Sequence, residues 1–461
     1  MMPGPEHNKL RILTSILRPI WKSWTGDVLI RRLVGNASVL LGGKTANGVF
    51  SLAYLALAAR GLSLEAFGTL ILIHTYAQSV GELVKFQSWQ AVLTYGTPAL
   101  GEGRVADLRR ILWFTVKLDI LSAVAGLLVA VAGVTVAQSL FGWDDDVVAL
   151  ARIYAVSVLF MATATPIGVL RLLDRFDLIA IQSSLGSFVR LAGAALAFLS
   201  GAGFETYLLV WFTATLVSGS TLIGMTLREL RRRNVLQAET QASPAVWRPT
   251  RDVWRFVWST NFNTTLGLAF THFGTLAVGA LLSPSAAALY RVGHQLAEAV
   301  TVPTKLLTPA IYPELARLAA KREIVRIRIF MFRAALMAGM GATTLVGGLA
   351  AIGTWLLGAI AGPEYIAAYG VMVFLGVAAA IRLWAFPLEP MLISADRAHA
   401  VLAVRVVSTA VYLGLLFPLC LSAGLLGAGI ATLVANTINI AGLLVLVERW
   451  LRLQRMPAAG T

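Results

Sequence analysis

The sequence predicts an all-α polytopic membrane protein with about twelve transmembrane helices, arranged as two repeat-related six-helix bundles around a central cavity. Three observations predict this fold. Hydrophobic residues make up 57% of the chain and charged residues 13%, with a mean hydropathy of +0.76. Apolar stretches recur that are long enough to cross a bilayer, which takes about 20 residues. Finally, Lys and Arg concentrate in alternate links between those stretches, as expected when one side faces the cytoplasm.

The apolar stretches define twelve predicted spans. They lie at roughly 36–59, 66–96, 111–140, 148–170, 178–200, 206–227, 254–281, 287–312, 329–361, 367–393, 399–420 and 426–447. The prolines at 166, 303, 309, 387 and 390 interrupt three of these spans, so we expect breaks or kinks there.

The segments outside the spans divide the chain into five parts. Residues 1–35 combine apolar residues near helical spacing with Arg11, Arg18 and Lys22, which predicts a basic amphipathic segment on the cytoplasmic membrane surface. The longest polar link predicts a cytoplasmic linker between two halves. The predicted parts are thus the segment 1–35, an N-terminal six-helix bundle (36–228), the linker (229–253), a C-terminal six-helix bundle (254–447) and a cytoplasmic tail (448–461).

The distribution of charge predicts the orientation. Most of the 38 Lys and Arg lie in the termini and in every second link, whereas the opposite links carry Arg60, Arg152 and the acidic stretch 143–147. The positive-inside rule then places both termini in the cytoplasm. The net charge of +15 is therefore a topology signal, and we expect no nucleic-acid partner.

The two halves resemble each other. A shift of 220 residues places 62–70 on 282–290, His74 on His294 and Lys85 on Lys305. A shift of 222 places 172–177 on 394–399. Six spans per half give both halves the same orientation, which predicts repeats related by an axis along the membrane normal.

Ionisable residues inside the spans are more often basic than acidic. The basic ones are Lys44, Lys85, Lys117, Arg190, Arg291, Lys305, Arg333, Arg382 and Arg405, and the acidic ones are Glu82, Asp119, Glu298 and Glu389. Because a charge at the bilayer centre costs about 2.5–3.5 kcal/mol on insertion scales, such residues normally face protein or water. Snorkelling to the cytoplasmic interface is an equal alternative for Lys44, Lys117, Arg333, Arg382 and Arg405.

Two polar stripes on repeat-related helices predict a water-filled cavity between the halves. One comprises His74, Gln78, Glu82 and Lys85, and the other Arg291, His294, Gln295, Glu298 and Lys305, each within a narrow arc at 100° per residue. An excess of basic groups makes this cavity cationic and suited to an anionic substrate.

Residues 36–70 and 80–96 carry a family resemblance. The first stretch resembles the opening helix, short outward turn and "FG" helix start of the multidrug/oligosaccharidyl-lipid/polysaccharide exporter superfamily. The second, with Trp89-Gln90 ahead of Tyr95-Gly96, resembles the end of its second helix. The chain is most similar to the polysaccharide-export branch, the flippases for lipid-linked O-antigen and exopolysaccharide units.

The resemblance implies a transporter of the bacterial inner membrane that flips an undecaprenyl-diphosphate-linked oligosaccharide by alternating access. Its biosynthetic role would be in lipopolysaccharide or exopolysaccharide assembly, beside glycosyltransferase and polymerase machinery. On this reading the basic groups compensate the diphosphate, and amides bind sugars. The candidate cavity residues are Lys44, Asn47, His74, Gln78, Lys85, Gln90, Arg190, Arg291, His294, Gln295 and Lys305. Glu82 and Glu298 are candidates for coupling to a proton or sodium gradient.

Other readings stay open. A cation-coupled multidrug antiporter of the same superfamily would be expected to show an acidic interior, and a peptidoglycan-precursor flippase often has two further C-terminal spans. A membrane glycosyltransferase, polymerase or ligase needs a sizeable outward loop, whereas the outward links here have about four to ten residues. We therefore expect no enzyme activity, no cofactor and no metal, and the single Cys420 excludes an internal disulfide.

Overall fold

The computed structural model describes residues 28–235, 253–254, 272–301, 315, 317–318, 323–395 and 397–453, with side chains from residue 42 onward. All the secondary-structure elements of these residues are helices. The predicted segment 1–35, linker 229–253 and tail 448–461 lie largely outside it, as does Lys305.

The described part of the first half (the N-half) contains eight α-helices. They are α1 (Val28–Gly61), α2 (Leu64–Val84), α3 (Ser88–Gly101), α4 (Val105–Phe141), α5 (Asp145–Ala155), α6 (Ala164–Leu172), α7 (Phe176–Leu199) and α8 (Phe204–Arg232), with a 3-10 helix at Val156–Met161 between α5 and α6.

The second half (the C-half) follows the same order. Its α-helices are α9 (Gly274–Leu281), α10 (Pro284–Ala299), α11 (Ile324–Ile360), α12 (Tyr369–Trp384), α13 (Leu388–Ser394), α14 (Ala398–Ala423) and α15 (Leu425–Leu453), with a 3-10 helix at Pro363–Ala368 before α12.

Corresponding helices of the halves agree in length and start. Helices α4 and α11 both have 37 residues, and α8 and α15 both have 29. Helices α2 and α10 both begin after a serine whose hydroxyl accepts a hydrogen bond from the third backbone N–H along: Ser63 from Ala66 and Ser283 from Ala286.

Eight helical runs in the described ranges are long and apolar enough to cross a membrane. They are Val105–Phe141, Asp145–Leu172, Phe176–Leu199, Phe204–Arg232, Ile324–Ile360, Pro363–Ser394, Ala398–Ala423 and Leu425–Arg452. They match eight of the predicted spans, and the large apolar side chains exposed along them have the arrangement expected for contact with lipid. The protein is therefore a polytopic membrane protein, and the predicted fold class is confirmed.

The second predicted span is broken where the sequence predicted one helix over 66–96. Helix α2 ends at Val84 and α3 begins at Ser88, so Lys85, Phe86 and Gln87 are non-helical. At this break the Gln87 carbonyl accepts a hydrogen bond from the Gln90 backbone N–H at 3.0 Å, and the Ser88 hydroxyl donates to a carboxylate of α4. No proline marks this break. A proline does mark the break in the fourth span, where Pro166 lies in the first turn of α6.

The halves meet at one end of the molecule, which we call the closed end, where α1 stops at Gly61 and α10 starts at Pro284. One apolar core there includes Phe67 and Leu72 of the N-half with Val278 and Tyr365 of the C-half. At the opposite end, which we call the basic end, each half has its own cluster, around Leu108 in the N-half and around Leu392 in the C-half. In the described ranges, the halves thus share one apolar core at the closed end and have separate apolar clusters at the basic end.

Candidate functional site

A polar cavity of about 340 Å³ lies in the N-half, beside the other half. It is formed by α1, α2, the 3-10 helix, α7 and α8, and by His272 of the C-half. Its polar lining side chains are Asn47, Gln78, Glu82, Lys85, Thr163, Gln182, Ser183, Ser187, Arg190, Thr215, Ser218 and His272. Ligand pockets commonly range from about 300 to 1,000 Å³, so the cavity is large enough for a small ligand or for one end of a larger one.

Arg190 is the strongest uncompensated cation of this cavity. One terminal nitrogen donates to the Thr215 hydroxyl at 3.2 Å, and the guanidinium carbon lies 5.7 Å from the ring centroid of Tyr54. Its buried Nε has no hydrogen-bond partner. Within the described residues, no carboxylate lies within ion-pairing distance of Arg190. An unpaired charge at such depth is costly, and it would be relieved by an anion.

Lys85 is also a lining residue, and it is partly neutralised. Its ammonium lies 3.4 Å from Glu82 Oε1, with the Lys85 side chain 16% exposed and that of Glu82 36% exposed. Glu82 is the one carboxylate in the described cavity lining, against Lys85 and Arg190. The lining therefore has a net positive charge.

Beside these charges, a neutral wall of the cavity is rich in hydroxyl and amide groups. Ser187 donates to the Asn47 side-chain oxygen at 2.5 Å, and Gln182 donates to the Ser218 hydroxyl at 2.6 Å. Such groups both donate and accept hydrogen bonds, which is the chemistry a polyhydroxylated ligand requires.

Arg291 is a basic residue of the C-half that lies near Arg190 but does not line the cavity. Both Arg190 and Arg291 lie within electrostatic range of Tyr54. Arg291 is partly buried, and none of the described carboxylates pairs with it. The two arginines are thus contributed by different halves to the same region.

The remaining predicted site residues lie elsewhere. His74 is buried, with Nδ1 2.6 Å from the Tyr154 hydroxyl. His294 lies in a small C-half cavity, and Gln295 in a narrow gap between the halves at the closed end. Lys44 is exposed and Gln90 partly buried, and neither lines the polar cavity. Lys305 lies outside the described residues. The substrate-binding roles of all the residues named in this paragraph stay predictions.

Besides Lys85, two intramembrane basic residues are paired with carboxylates in the described residues. Arg382 contacts Glu298 at 3.1 Å, and Arg405 contacts Glu389 at 2.8 Å. Glu298 also accepts a hydrogen bond from Thr301 at 2.9 Å. Glu298 was predicted as a candidate for ion coupling. Here it neutralises an arginine of the neighbouring helix α12, and its coupling role stays a prediction.

The sequence analysis missed the neutral wall of the cavity. Gln182, Gly186 and Arg190 are spaced four residues apart on α7, and Ser183 and Ser187 follow the same spacing. This i, i+4 pattern of polar and small residues within an apolar span was the available signal. Ionisable residues and the two repeat-related stripes do not indicate it, because these side chains on α7 are mostly uncharged.

Asp119 is a buried carboxylate outside the cavity. Oδ1 accepts from the Ser88 hydroxyl at 2.6 Å, and Oδ2 accepts from the Thr165 backbone N–H at 2.7 Å. It therefore joins α4 to the first turns of α3 and α6, next to both helix breaks. In the described ranges, no three His, Cys, Asp or Glu side chains are grouped so as to hold a metal.

Comparison with known families identifies the chain. Residues 33–319 match a family described as "Polysaccharide biosynthesis protein". The chain belongs to this family. The match covers both stretches on which the sequence resemblance rests, so that prediction is confirmed. A relative from Escherichia coli (strain K12), "Inner membrane protein YghQ", is 32% identical over 351 residues, which is 76% of this chain and 98% of that protein.

Solved structures of membrane transporters share the fold at low sequence identity. An inward-facing multidrug resistance MATE family transporter of the MOP superfamily has a TM-score of 0.70 at 12% identity, covering 89% of this chain and 96% of that one. The "Lipid II flippase MurJ, inward closed conformation" has a TM-score of 0.67 at 12% identity, covering 88% of this chain and 86% of that one. The fold of this family member is therefore the MOP superfamily fold.

Proposed function

We propose that the protein is a flippase that moves a polyprenyl-diphosphate-linked oligosaccharide, such as an O-antigen or exopolysaccharide repeat unit, across the bacterial inner membrane. The observation that carries the proposal is the uncompensated Arg190 in a cavity that also offers neutral hydrogen-bonding groups. A diphosphate is doubly suited to an arginine, because the planar guanidinium binds phosphate oxygens through paired hydrogen bonds.

The two kinds of wall match the two polar parts of this substrate. Arg190 and Lys85 would hold the diphosphate, with Arg291 contributing from the other half. Asn47, Gln78 and Gln182 would hydrogen-bond sugar hydroxyls. The family's role in polysaccharide biosynthesis and the fold shared with a lipid II flippase both support this choice of substrate class.

The proposed orientation identifies the side of the membrane to which the structure is open. The basic end faces the cytoplasm, as the positive-inside rule requires, and both termini lie on that side. Since the halves are joined at the closed end, the structure corresponds to an inward-facing state. Return to an outward-facing state requires the closed-end contacts to break.

The proposal predicts a selective effect of Arg190→Gln on flipping in proteoliposomes loaded with a labelled lipid-linked oligosaccharide. Hydrogen bonds to charged groups contribute about 1.5–3 kcal/mol, so we expect the apparent affinity to fall about 10- to 100-fold. Arg333→Gln is the matched control, because Arg333 is an exposed arginine in the span of α11 that does not line the cavity. Equal transport by wild type and Arg190→Gln in a folded protein would refute the assignment.

A cation-coupled drug antiporter is the second candidate function. Glu82 in the cavity lining is the observation that favours it, since a carboxylate can exchange protons or bind a cationic substrate. The net positive charge of the lining argues against it. Loss of gradient-driven transport of a cationic dye in Glu82→Gln, with no flipping of lipid-linked sugar by wild type, would establish this alternative.

A further inference from the structure

A stacked arginine lies outside the cavity, in the last turn of α6 at the basic end of the N-half. The guanidinium carbon of Arg171 is 4.3 Å from the ring centroid of Trp89. This is a cation–π contact, which is stronger with Trp than with other aromatic residues. Stacking uses the flat face of the guanidinium and leaves its N–H edge free for a planar, bidentate ligand.

Packing between α3 and α6 holds the two side chains in this arrangement. At Gly168, one turn before Arg171, an added Cβ would lie 2.8 Å from the Trp89 Cα, so only glycine permits the close approach of the helices. The Trp89 indole N–H donates to the Gln87 side-chain oxygen at 2.8 Å. The ring is therefore fixed from two sides before any ligand binds.

Arg171 and Arg175 differ in whether a carboxylate of the described residues neutralises them. Arg171 is partly buried, and in the part of the chain that the structure describes no carboxylate lies within ion-pairing distance of it. Arg175, four residues further along, is by contrast paired with Asp177 at 2.9 Å and with Glu229 at 2.7 Å. Arg175 has a structural role, and Arg171 has none of these contacts.

Comparison of the two halves shows that Arg171 is not one of the basic residues that both halves have at this helix end. The shift of 222 residues that places Arg175 on Arg397 places Arg171 on Ile393. The C-half therefore retains the basic residue at this helix end and lacks the stacked one. A feature confined to one half, and to the half that contains the polar cavity, suggests a role in handling a ligand.

Arg171 lies along the helices that lead from the cavity to the basic end. Helix α6 begins next to Thr163, a lining residue, and reaches Arg171 after eight residues, or about 12 Å. On the neighbouring helix, Trp89 follows Lys85 by about one turn, across the non-helical residues. Arg171 is thus a basic group beyond Lys85 in the direction of the basic end, and it has no carboxylate partner among the described residues.

We propose that Arg171, held on Trp89, is a docking site for the diphosphate of a polyprenyl lipid at the cytoplasmic mouth, occupied before the diphosphate reaches Arg190. This inference rests on the proposed function. The recognised chemistry is a diphosphate, which a lipid or a soluble diphosphate could supply. The position at the end of a membrane-spanning helix favours the lipid, since its headgroup lies at that depth.

The test is equilibrium binding of a polyprenyl diphosphate to the full chain in nanodiscs, combined with the flipping assay. We expect Arg171→Gln to raise the half-saturating lipid concentration about tenfold and to change the maximal rate less than about twofold. Arg190→Gln should lower the maximal rate as well. Arg171→Lys should give an intermediate affinity, because a lysine keeps the charge and loses the planar fork.

The control is Arg452→Gln, which removes an exposed arginine from the last turn of α15 in the other half and should leave both quantities unchanged. Trp89→Phe should retain more affinity than Trp89→Ala. If wild type binds and flips the lipid and Arg171→Gln matches it, the docking site is refuted while the flippase stands. If wild type binds no polyprenyl diphosphate, both fall. Competition by inorganic diphosphate as strong as that by the lipid would overturn the lipid source.

Discussion

At the residue scale, the intramembrane basic groups differ in whether a carboxylate neutralises them. Arg382 is paired with Glu298, and Arg405 with Glu389. These ion pairs within the C-half offset the cost of placing the two charges in the membrane. Arg190 has a hydroxyl and an aromatic ring as neighbours instead. A basic residue kept unpaired inside a membrane protein is the kind of group that binds a substrate.

Asp119 yields a prediction about stability. Asp119→Ala would leave the Ser88 hydroxyl and the Thr165 N–H without their acceptor, and each unsatisfied buried group costs about 1–3 kcal/mol. We expect a clearly lower melting temperature in detergent. Ser88→Ala should cost less, because the carboxylate then keeps its bond from Thr165. Equal melting temperatures for wild type and Asp119→Ala would show that the carboxylate does not hold the two helix starts.

The sequence predicted part of the site. Asn47, Gln78, Lys85 and Arg190 were predicted, and the structure places all four in one cavity lining. The sequence of a single helix does not tell which neighbouring helix its polar residues face. The polar residues of α10 were therefore predicted to line one cavity together. In the structure, His294 and Gln295, which are adjacent in sequence, lie in different cavities.

At the element scale, the closed end is held by a contact between helix ends. The Arg60 guanidinium, at the end of α1, donates to the backbone carbonyls of Ala359 and Ile360 at the end of α11, with 3.0 Å to Ile360. A cation is favourable at a helix C-terminus, where carbonyls lack intrahelical partners. This contact gives a reason for a basic residue on the side that the positive-inside rule leaves poor in them.

Arg60→Ala should therefore favour opening of the closed end. The measurement is the distance distribution between spin labels at positions 205 and 364, which are exposed and lie in different halves near this end. We expect wild type to give a short distance and Arg60→Ala to add a longer one. Arg152→Ala, which removes the other basic residue of this end, is the control. An unchanged distribution for Arg60→Ala would show that the contact does not hold the halves together.

Gly68 allows a second close contact between helix ends at the closed end. A Cβ at this position in α2 would overlap the Pro284 carbonyl at the start of α10. Gly68→Ala should separate the two helix starts and reduce thermal stability, or shift the label distances in the direction expected for Arg60→Ala. Gly48→Ala in α1 is the control, since an added Cβ there meets no neighbour. Wild-type stability and distances in Gly68→Ala would contradict the close contact.

The sequence could predict the helices better than their interruptions. Hydropathy gives span length directly, because the bilayer sets a minimum, and the helical runs of α4, α7 and α8 match it. The break at Lys85 could not be predicted, since it depends on Asp119, a residue from another helix, accepting a hydrogen bond at Ser88. This interruption has no proline or glycine among residues 85–88 to mark it.

At the scale of the whole molecule, the two halves share a fold and differ in the chemistry of their interiors. The N-half holds the polar cavity with its unpaired Arg190, and in the C-half Arg382 and Arg405 are paired with carboxylates. The halves are joined at the closed end and have separate cores at the basic end. Under the proposed function, the N-half is the principal binding half and the C-half moves against it.

The most direct test of the central claim measures two substrates in parallel with reconstituted wild-type protein. One set of sealed proteoliposomes carries a labelled polyprenyl-diphosphate oligosaccharide, and the other a cationic dye under an imposed proton or sodium gradient. We expect protein-dependent movement of the lipid-linked sugar and none of the dye. Gradient-driven dye transport without sugar movement would contradict the flippase and show that the positive cavity does not select an anion.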